Sequence, residues 1–429
     1  MKRFEWSNLN AAERQAALAR PARRRDNEVA DVVRRIFDDV EREGEAAVRR
    51  WSETIDKRAP QTLALDAATV DAARAKLSCE DLEALDIAVD NVTRYHEAIK
   101  PKTQEIEIRA GVRCRRVWRA IASCGLYIPG GTAPLFSTLI MLAAPARVAG
   151  VRERIIVTPP GKGDGAPHPM ILAAAAACGV EALSLVGGAQ AIAALTFGAG
   201  VPKAEKIFGP GNAFVTEAKR YAASLPGGPV IDVPAGPSEL MVIADDGADP
   251  RIVAADLLSQ AEHDTDAQVV LVALSDSVVA AVAAELEKQT PLLPRAEIAQ
   301  ASLAQARLIR VRDAQEAADV SNAYAPEHLS LQVKQTDALI ENLDNAGAVF
   351  VGAWSAETFG DYICGPSHVL PTDGAARAWS GVNVASFMKS FVVQEMNEQG
   401  ARELAPAAAR LARLEGLEAH ARAADVRVQ

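Results

Sequence analysis

The chain has 429 residues, 49% of them hydrophobic and 5% aromatic, with a formal net charge of −10. That length and apolar fraction support large cores, and about three domains or two large ones with small appendages. An acidic chain whose basic clusters are as short as Arg23-Arg24-Arg25 and Arg113 to Arg116 is repelled by phosphate backbones, so these clusters read as solvated faces rather than nucleic-acid patches.

The N-terminus, Met1-Lys2-Arg3-Phe4-Glu5-Trp6, lacks the apolar stretch of a signal peptide. The best apolar run, Leu139 to Gly150, is interrupted by Pro145 and Arg147 and is too short to span a membrane. A soluble, cytoplasmic protein is expected. Five cysteines, an odd number without a CxxC, imply a reducing compartment and buried thiols, although Cys364 lies in a polar string of interest.

In chain order, residues 1–25 read as a charged N-terminal arm and 26–126 as a helical segment that packs with the second α/β unit. Within it, 27–55 is a helix with Val29, Val32, Val33, Ile36 and Val40 on one stripe, and 81–99 is a second through Leu82, Leu85, Ile87, Ala88 and Val92. At Ile121 the pattern changes. Strands at 121–128, 154–158, 182–186, 206–208 and 229–233 alternate with helices at 134–149, 168–178, 189–197 and 213–224. The alternation continues with strands at 239–244, 268–274, 306–312, 329–333 and 347–351. The expected fold class is α/β: two Rossmann-like doubly wound parallel-sheet domains, 127–237 and 238–380, with small helical N- and C-terminal extensions, the tail being 381–429.

Ser259-Gln260-Ala261-Glu262-His263-Asp264 closes a helix for which Asp249 is the N-cap and Pro250 the first residue. Gln260 and His263 are i and i+3, so both side chains leave one face. An amide oxygen and an imidazole there can serve a hard or borderline divalent metal, but a histidine ending an apolar helix is more often structural. The other histidines shift the balance. His96 and His168 stand in ordinary surroundings, whereas His263, His328, His368 and His420 occupy polar, turn-rich strings with Glu262, Glu327, Asp361 and Glu415 nearby in sequence. Repeated histidine plus acid suits a metal or acid–base site. The adjacent Glu327 and His328 offer two proton acceptors of different basicity, suited to two successive proton removals; the competing reading is a loop with two solvated side chains.

Three Gly-rich turns follow strands: Tyr127-Ile128-Pro129-Gly130-Gly131, Val186-Gly187-Gly188-Ala189-Gln190 and Phe208-Gly209-Pro210-Gly211-Asn212. Each leads to a helix N-terminus that favours phosphate. None matches G-x-G-x-x-G, since Phe214 stands where the third glycine would be, and tight βα turns explain any one of them alone.

Together, Ser259-Gln260-Ala261-Glu262-His263, Pro326-Glu327-His328-Leu329, Gly360-Asp361-Tyr362 with Gly365 to Thr372, Pro234-Ala235-Gly236-Pro237-Ser238-Glu239 and Phe208 to Asn212 resemble the histidinol dehydrogenase family, from about Tyr127 to His420. The resemblance implies a zinc enzyme of histidine biosynthesis, with one zinc per subunit, that oxidises L-histidinol to L-histidinal and then to L-histidine with two NAD. It implies zinc ligands Gln260, His263, Asp361 and His420, which also border the substrate. Glu327 would activate the water that attacks the aldehyde and His328 would accept protons, while Ser238, His368 and Glu415 would contact the substrate. Tyr127, Gln190 and Asn212 would contact NAD. The family's homodimer would place Glu415 and His420 in the neighbouring subunit's site. Relatives acting on another small alcohol share many of these motifs. A zinc hydrolase using Glu327 without NAD, and a non-catalytic metal-binding oligomer, are the readings from other classes.

Overall fold

The apolar runs pair into two separate six-stranded sheets in the computed structural model, which describes residues 1–21, 27–130, 134–233 and 236–429. Arg23-Arg24-Arg25, Gly131 and Pro234-Ala235 lie outside the described residues. In chain order the strands are β1 (Lys2–Glu5), β2 (Gln61–Ala64), β3 (Gln104–Arg109), β4 (Val112–Ala120), β5 (Ser123–Tyr127), β6 (Glu153–Thr158), β7 (Ala182–Leu185) and β8 (Lys206–Phe208). They continue as β9 (Val230–Ile231), β10 (Glu239–Ala244), β11 (Gln268–Ala273), β12 (Arg307–Arg310), β13 (His328–Gln332), β14 (Ala348–Val351) and β15 (Met388–Met396).

The first sheet runs β2-β7-β6-β5-β8-β9 and the second β1-β12-β11-β10-β13-β14. All neighbours are parallel except β2, which runs antiparallel to β7. In each sheet the chain moves outward from a central strand and then returns to that strand's other side. The switch points fall between β5 and β8 and between β10 and β13. Continuous burial explains the run Glu239-Leu240-Met241-Val242-Ile243-Ala244 in β10, because helices cover both faces of a parallel sheet. The doubly wound α/β expectation is therefore met.

Five expectations are corrected. The charged N-terminal arm expected over 1–25 includes an edge strand at 2–5 paired with β12, followed by the buried Trp6 and a helix at Ala11–Leu18. The helix expected over 27–55 breaks at Gly44, which takes φ +61, into Asn27–Glu43 and Glu45–Ile55. Both helices pack on the first α/β unit rather than the second. Val33, Ile36, Phe37 and Val48 share a core with Val157, Ile192 and Val215. The tail is not wholly helical, since β15 pairs antiparallel with β4, and β3 completes a third, three-stranded sheet. Solvent on most of its surface hides this sheet from hydrophobic periodicity, and its strands carry cross-strand charge pairs such as Arg115–Glu395 at 3.0 Å instead. Of the five free cysteines only Cys124 and Cys178 are buried, while Cys79 and Cys364 are exposed and Cys114 is intermediate. No described helix is long and apolar enough to cross a membrane.

Candidate active site

The parallel register of β10 and β13 sets the site. Leu240 lies beside His328, so the residues just before them, Glu239 and Glu327, meet at the amino edge of the second sheet. The Glu239 N–H donates to Glu327 Oε2 at 2.8 Å, and the Glu239 carbonyl lies 3.0 Å from His328 Nδ1. One residue's backbone therefore holds both members of the pair. A carbonyl can only accept, so His328 carries its proton on Nδ1 and leaves Nε2 as an acceptor with no hydrogen-bond partner. On the other side of β13, Gly347 permits the close approach of β14, because a Cβ there would stand 2.4 Å from the Glu327 carbonyl oxygen. Both members are buried, which removes the solvated-loop reading.

Asp361 comes from a short helix, Glu357–Tyr362, rather than from a loop. That helix returns after β14 to the amino edge, where Asp361 Oδ1 stands 3.7 Å from His328 Nε2. It also delivers Glu357, four residues earlier and almost fully buried, whose Oε1 is 3.4 Å from His328 Nδ1 and whose Oε2 accepts from Ser259 Oγ at 3.3 Å. One ligand atom each from His328, Glu357 and Asp361 falls within a 4.8 Å cluster able to hold a metal ion.

The helix Pro250–Ala261 starts as expected, with Asp249 accepting from the Arg251 N–H and Pro250 at its first turn. Gln260 is completely buried, yet neither its amide oxygen nor its amide nitrogen has a partner. His263 lies just beyond the helix and is exposed, close enough for its charge to oppose protonation of His328 and His368. His368 is half-buried, with Nδ1 on the Asp361 carbonyl at 2.8 Å and Nε2 on Thr138 Oγ1 at 3.2 Å. Thr138 lies in the first turn of the helix Phe136–Ala149 that follows β5, so this contact joins the carboxyl edge of the first sheet to the amino edge of the second.

The cluster is rich in acid. Burial pushes Glu327 well above the ordinary carboxylate range, opposed by the Glu239 N–H and reinforced by the charges of Glu239 and Asp361. Burial likewise raises Glu357, with Asp361, Glu327 and Asp256 adding to it, and raises Asp256 to about 6 against the Ser330 hydroxyl. Burial lowers both His328 and His368. Among the described residues the only ion-pair partner of Glu327, Glu357 or Asp361 is His328. Converging carboxylates and imidazoles without a lysine or arginine are a donor set for a divalent cation.

Ser238 is half-buried directly before β10, its carbonyl accepting from the Gln268 N–H. Tyr127 ends β5, buried, and its hydroxyl accepts from the Gly188 N–H at 3.2 Å. Gln190 is buried with its amide nitrogen on Asp56 at 3.1 Å and its oxygen without a partner. Asn212 is exposed and caps the helix Ala213–Ser224 through the Val215 N–H. These three residues line the carboxyl edge of the first sheet, with Tyr127 and Asn212 on opposite sides of its switch point. Gly209 spans that point at φ +118, where a Cβ would sit 2.1 Å from the Tyr127 carbonyl oxygen.

Glu415 and His420 are not brought into the cluster within one chain. Both are exposed, at the end of the helix Glu398–Leu414 and on the helix Glu418–Asp425. Sequence reasoning missed Glu239 and Glu357. Glu357 carried a signal, since it stands four residues before Asp361 and so on the same helical face. Glu239 carried none, because its hold on Glu327 and His328 is made by its backbone.

A family model described as histidinol dehydrogenase matches residues 19–428. A histidinol dehydrogenase of Yersinia pestis is 46% identical over 426 residues, covering 99% of this chain and 95% of that protein. One of Escherichia coli strain K12 is 45% identical, covering 99% and 97%. The crystal structure of histidinol dehydrogenase from Elizabethkingia anophelis superimposes with a TM-score of 0.95 at 39% identity, covering 100% of this chain and 98% of that one. An acetylating aldehyde dehydrogenase from Geobacillus thermoglucosidasius, 16% identical with a TM-score of 0.50, covers 87% of this chain and 98% of that one and shares the fold alone.

Proposed function

Because the chain belongs to the histidinol dehydrogenase family, and is therefore an oxidoreductase, we propose that it oxidises L-histidinol through L-histidinal to L-histidine with zinc and NAD. The observation that carries the reading is Gln260. A fully buried amide with both polar atoms unpaired costs about 1–3 kcal/mol for each group left without a partner. Ser259, the residue before it, donates to Glu357 of the His328, Glu357 and Asp361 cluster, and this set of nitrogen and oxygen donors fits zinc.

One zinc ion per subunit, held by Gln260, His263 and Asp361 and by His420 from the neighbouring subunit, would supply a Lewis-acid anchor for the substrate's nitrogen atoms. NAD at Tyr127, Gln190 and Asn212 would accept the hydride, which redox-inert zinc cannot. His328 presents a free Nε2 and takes the proton from the alcohol in the first oxidation and from the aldehyde hydrate in the second. Glu327, fixed by the Glu239 N–H, orients and activates the water that forms that hydrate. Ser238 and His368 contact the substrate, with Glu415 reaching in from the partner tail. The 127–237 unit serves NAD and the 238–380 unit the metal and the proton transfers. The exposed positions of Glu415 and His420, with exposed Phe391, Val392 and Met396 on β15 and exposed Leu411 and Leu414 on the helix Glu398–Leu414, support a homodimer whose tails complete the opposite sites. A cytoplasmic location goes with this reading.

The test is NAD reduction by the zinc-loaded protein with L-histidinol, and separately with L-histidinal. Absence of NADH with both substrates, or hydrolysis of an ester without NAD, would overturn the proposal.

A further inference from the structure

Glu239 is as notable for its side chain as for its backbone. Its carboxylate is almost fully buried and is gripped in a two-pronged contact by Arg20, through Nε to Oε1 and through Nη2 to Oε2 at 2.7 Å. The Asp373 N–H completes the shell at 3.1 Å from Glu239 Oε1. The same Nη2 of Arg20 reaches the Tyr324 carbonyl at 3.0 Å and the Ala325 carbonyl at 3.4 Å, and the guanidinium lies 3.9 Å from the Tyr324 ring centroid.

Ala325 is held in the left-handed region at φ 54, a strained state for a residue with a Cβ. It immediately precedes Pro326, Glu327 and His328. Arg20 therefore clamps both lead-ins to the site: the first residue of β10, whose N–H and carbonyl hold the pair, and the turn that delivers the pair to β13. A planar guanidinium does this because its donors diverge in a fixed fork, which a lysine ammonium does not offer.

We propose that Arg20, in the segment that follows the N-terminal strand and helix, is a positioning residue for catalysis, setting Glu327 and His328 through Glu239 and the 324–325 turn. The inference rests on the reading of Glu327 and His328 as the catalytic pair. The hydrogen bonds of Arg20 go to the Glu239 carboxylate and the 324–325 carbonyls rather than to Glu327 or His328, and it lines an open cavity of roughly 670 Å³ with Trp6, Arg14, Leu18, Asp319 and Arg377. A small cation can therefore enter from solvent if the side chain is cut back.

The experiment uses the zinc-loaded, full-length enzyme with L-histidinol and NAD, comparing wild type, Arg20→Lys, Arg20→Ala and Glu327→Gln. Arg20→Lys keeps the charge opposite Glu239 but loses the fork. It is expected to lower kcat at least 10-fold per zinc-loaded subunit while KM for both substrates, zinc content and the urea midpoint stay near wild type. Arg20→Ala is expected to lose more, with partial recovery on adding ethylguanidinium and none on adding ethylammonium. Wild-type kcat in folded Arg20→Lys, or losses that merely track the folded fraction, would overturn the positioning role. If Arg20→Ala fails to fold, Arg20→Lys decides alone. Full activity in Glu327→Gln would instead remove the catalytic reading beneath it, whereas an inactive Glu327→Gln beside an unaffected Arg20→Lys rejects this inference only.

Discussion

The buried imidazole of His96 makes folding of this chain acid-sensitive. His96 is completely buried on the helix Cys79–Ala98, and its Nδ1 accepts from the Val384 N–H at 3.3 Å. Accepting there places the ring proton on Nε2, which has no partner. Burial alone pushes the imidazole down to about 4 from its ordinary 6.5. Between those values the unfolded chain binds a proton that the folded chain refuses, so stability must fall as pH falls. The stabilisation is fully present above about pH 6.5 and is lost on the way down through about pH 4. A gap of roughly 2.5 units corresponds to about 3 kcal/mol in all, of which about 2 kcal/mol has gone by pH 5. Asp256, raised to about 6, acts in the opposite sense, so the single-site effect must be taken as a difference between proteins. His96→Asn keeps an acceptor near the Nδ1 position and removes the titration. Urea unfolding of both proteins from pH 7.5 to pH 4 should show the stability gap between them shrink or reverse by about 2 kcal/mol by pH 5. Parallel curves across that range would refute the reasoning.

His263→Ala should lose zinc and activity with little change in the urea midpoint when both proteins are compared without zinc, because His263 is exposed and adds little to the core; full zinc occupancy by elemental analysis would count against its place as a ligand. Glu327→Gln keeps the size of the side chain but not its basicity, and should slow the L-histidinal step at least 10-fold more than the L-histidinol step, on the order of a lost general base; equal loss in both steps would remove the division of labour between Glu327 and His328. His420→Ala and Glu327→Gln proteins, each inactive, should regain roughly a quarter of wild-type activity when unfolded together and reassembled, since half the dimers are mixed and each mixed dimer holds one intact site. No recovery would show that the tail serves its own subunit.

Much of this molecule was legible as local pattern. Asp249, Pro250 and the apolar residues after them define their helix without help from the rest of the chain. The buried runs of β10, β11 and β13 read as strands because both faces of a parallel sheet are covered. Of the histidine-and-acid strings, those holding Glu327, His328, Asp361 and His368 converge on the second sheet, while that of Glu415 and His420 does not within one chain. Edge strands were not legible in the same way. Lys2–Glu5 and Gln61–Ala64 are mostly exposed and become strands only because β12 and β7 offer unpaired backbone edges. The helices at 27–43 and 45–55 showed their apolar stripe but not its partner, since a stripe records that a face is buried and not what it is buried against.

The candidate site divides the same way. Residue types and spacing were enough to single out Gln260, Glu327, His328 and Asp361. Which nitrogen of His328 is free, why Glu327 faces it and why Glu357 joins them depend on the register of β10 against β13 and on a helix that doubles back after β14. Those are hydrogen bonds between residues nearly ninety positions apart, such as Glu239 with His328. Local periodicity reports the surroundings of a residue averaged over its own turn of helix or strand, so it cannot encode a contact whose geometry exists only once two distant strands have paired.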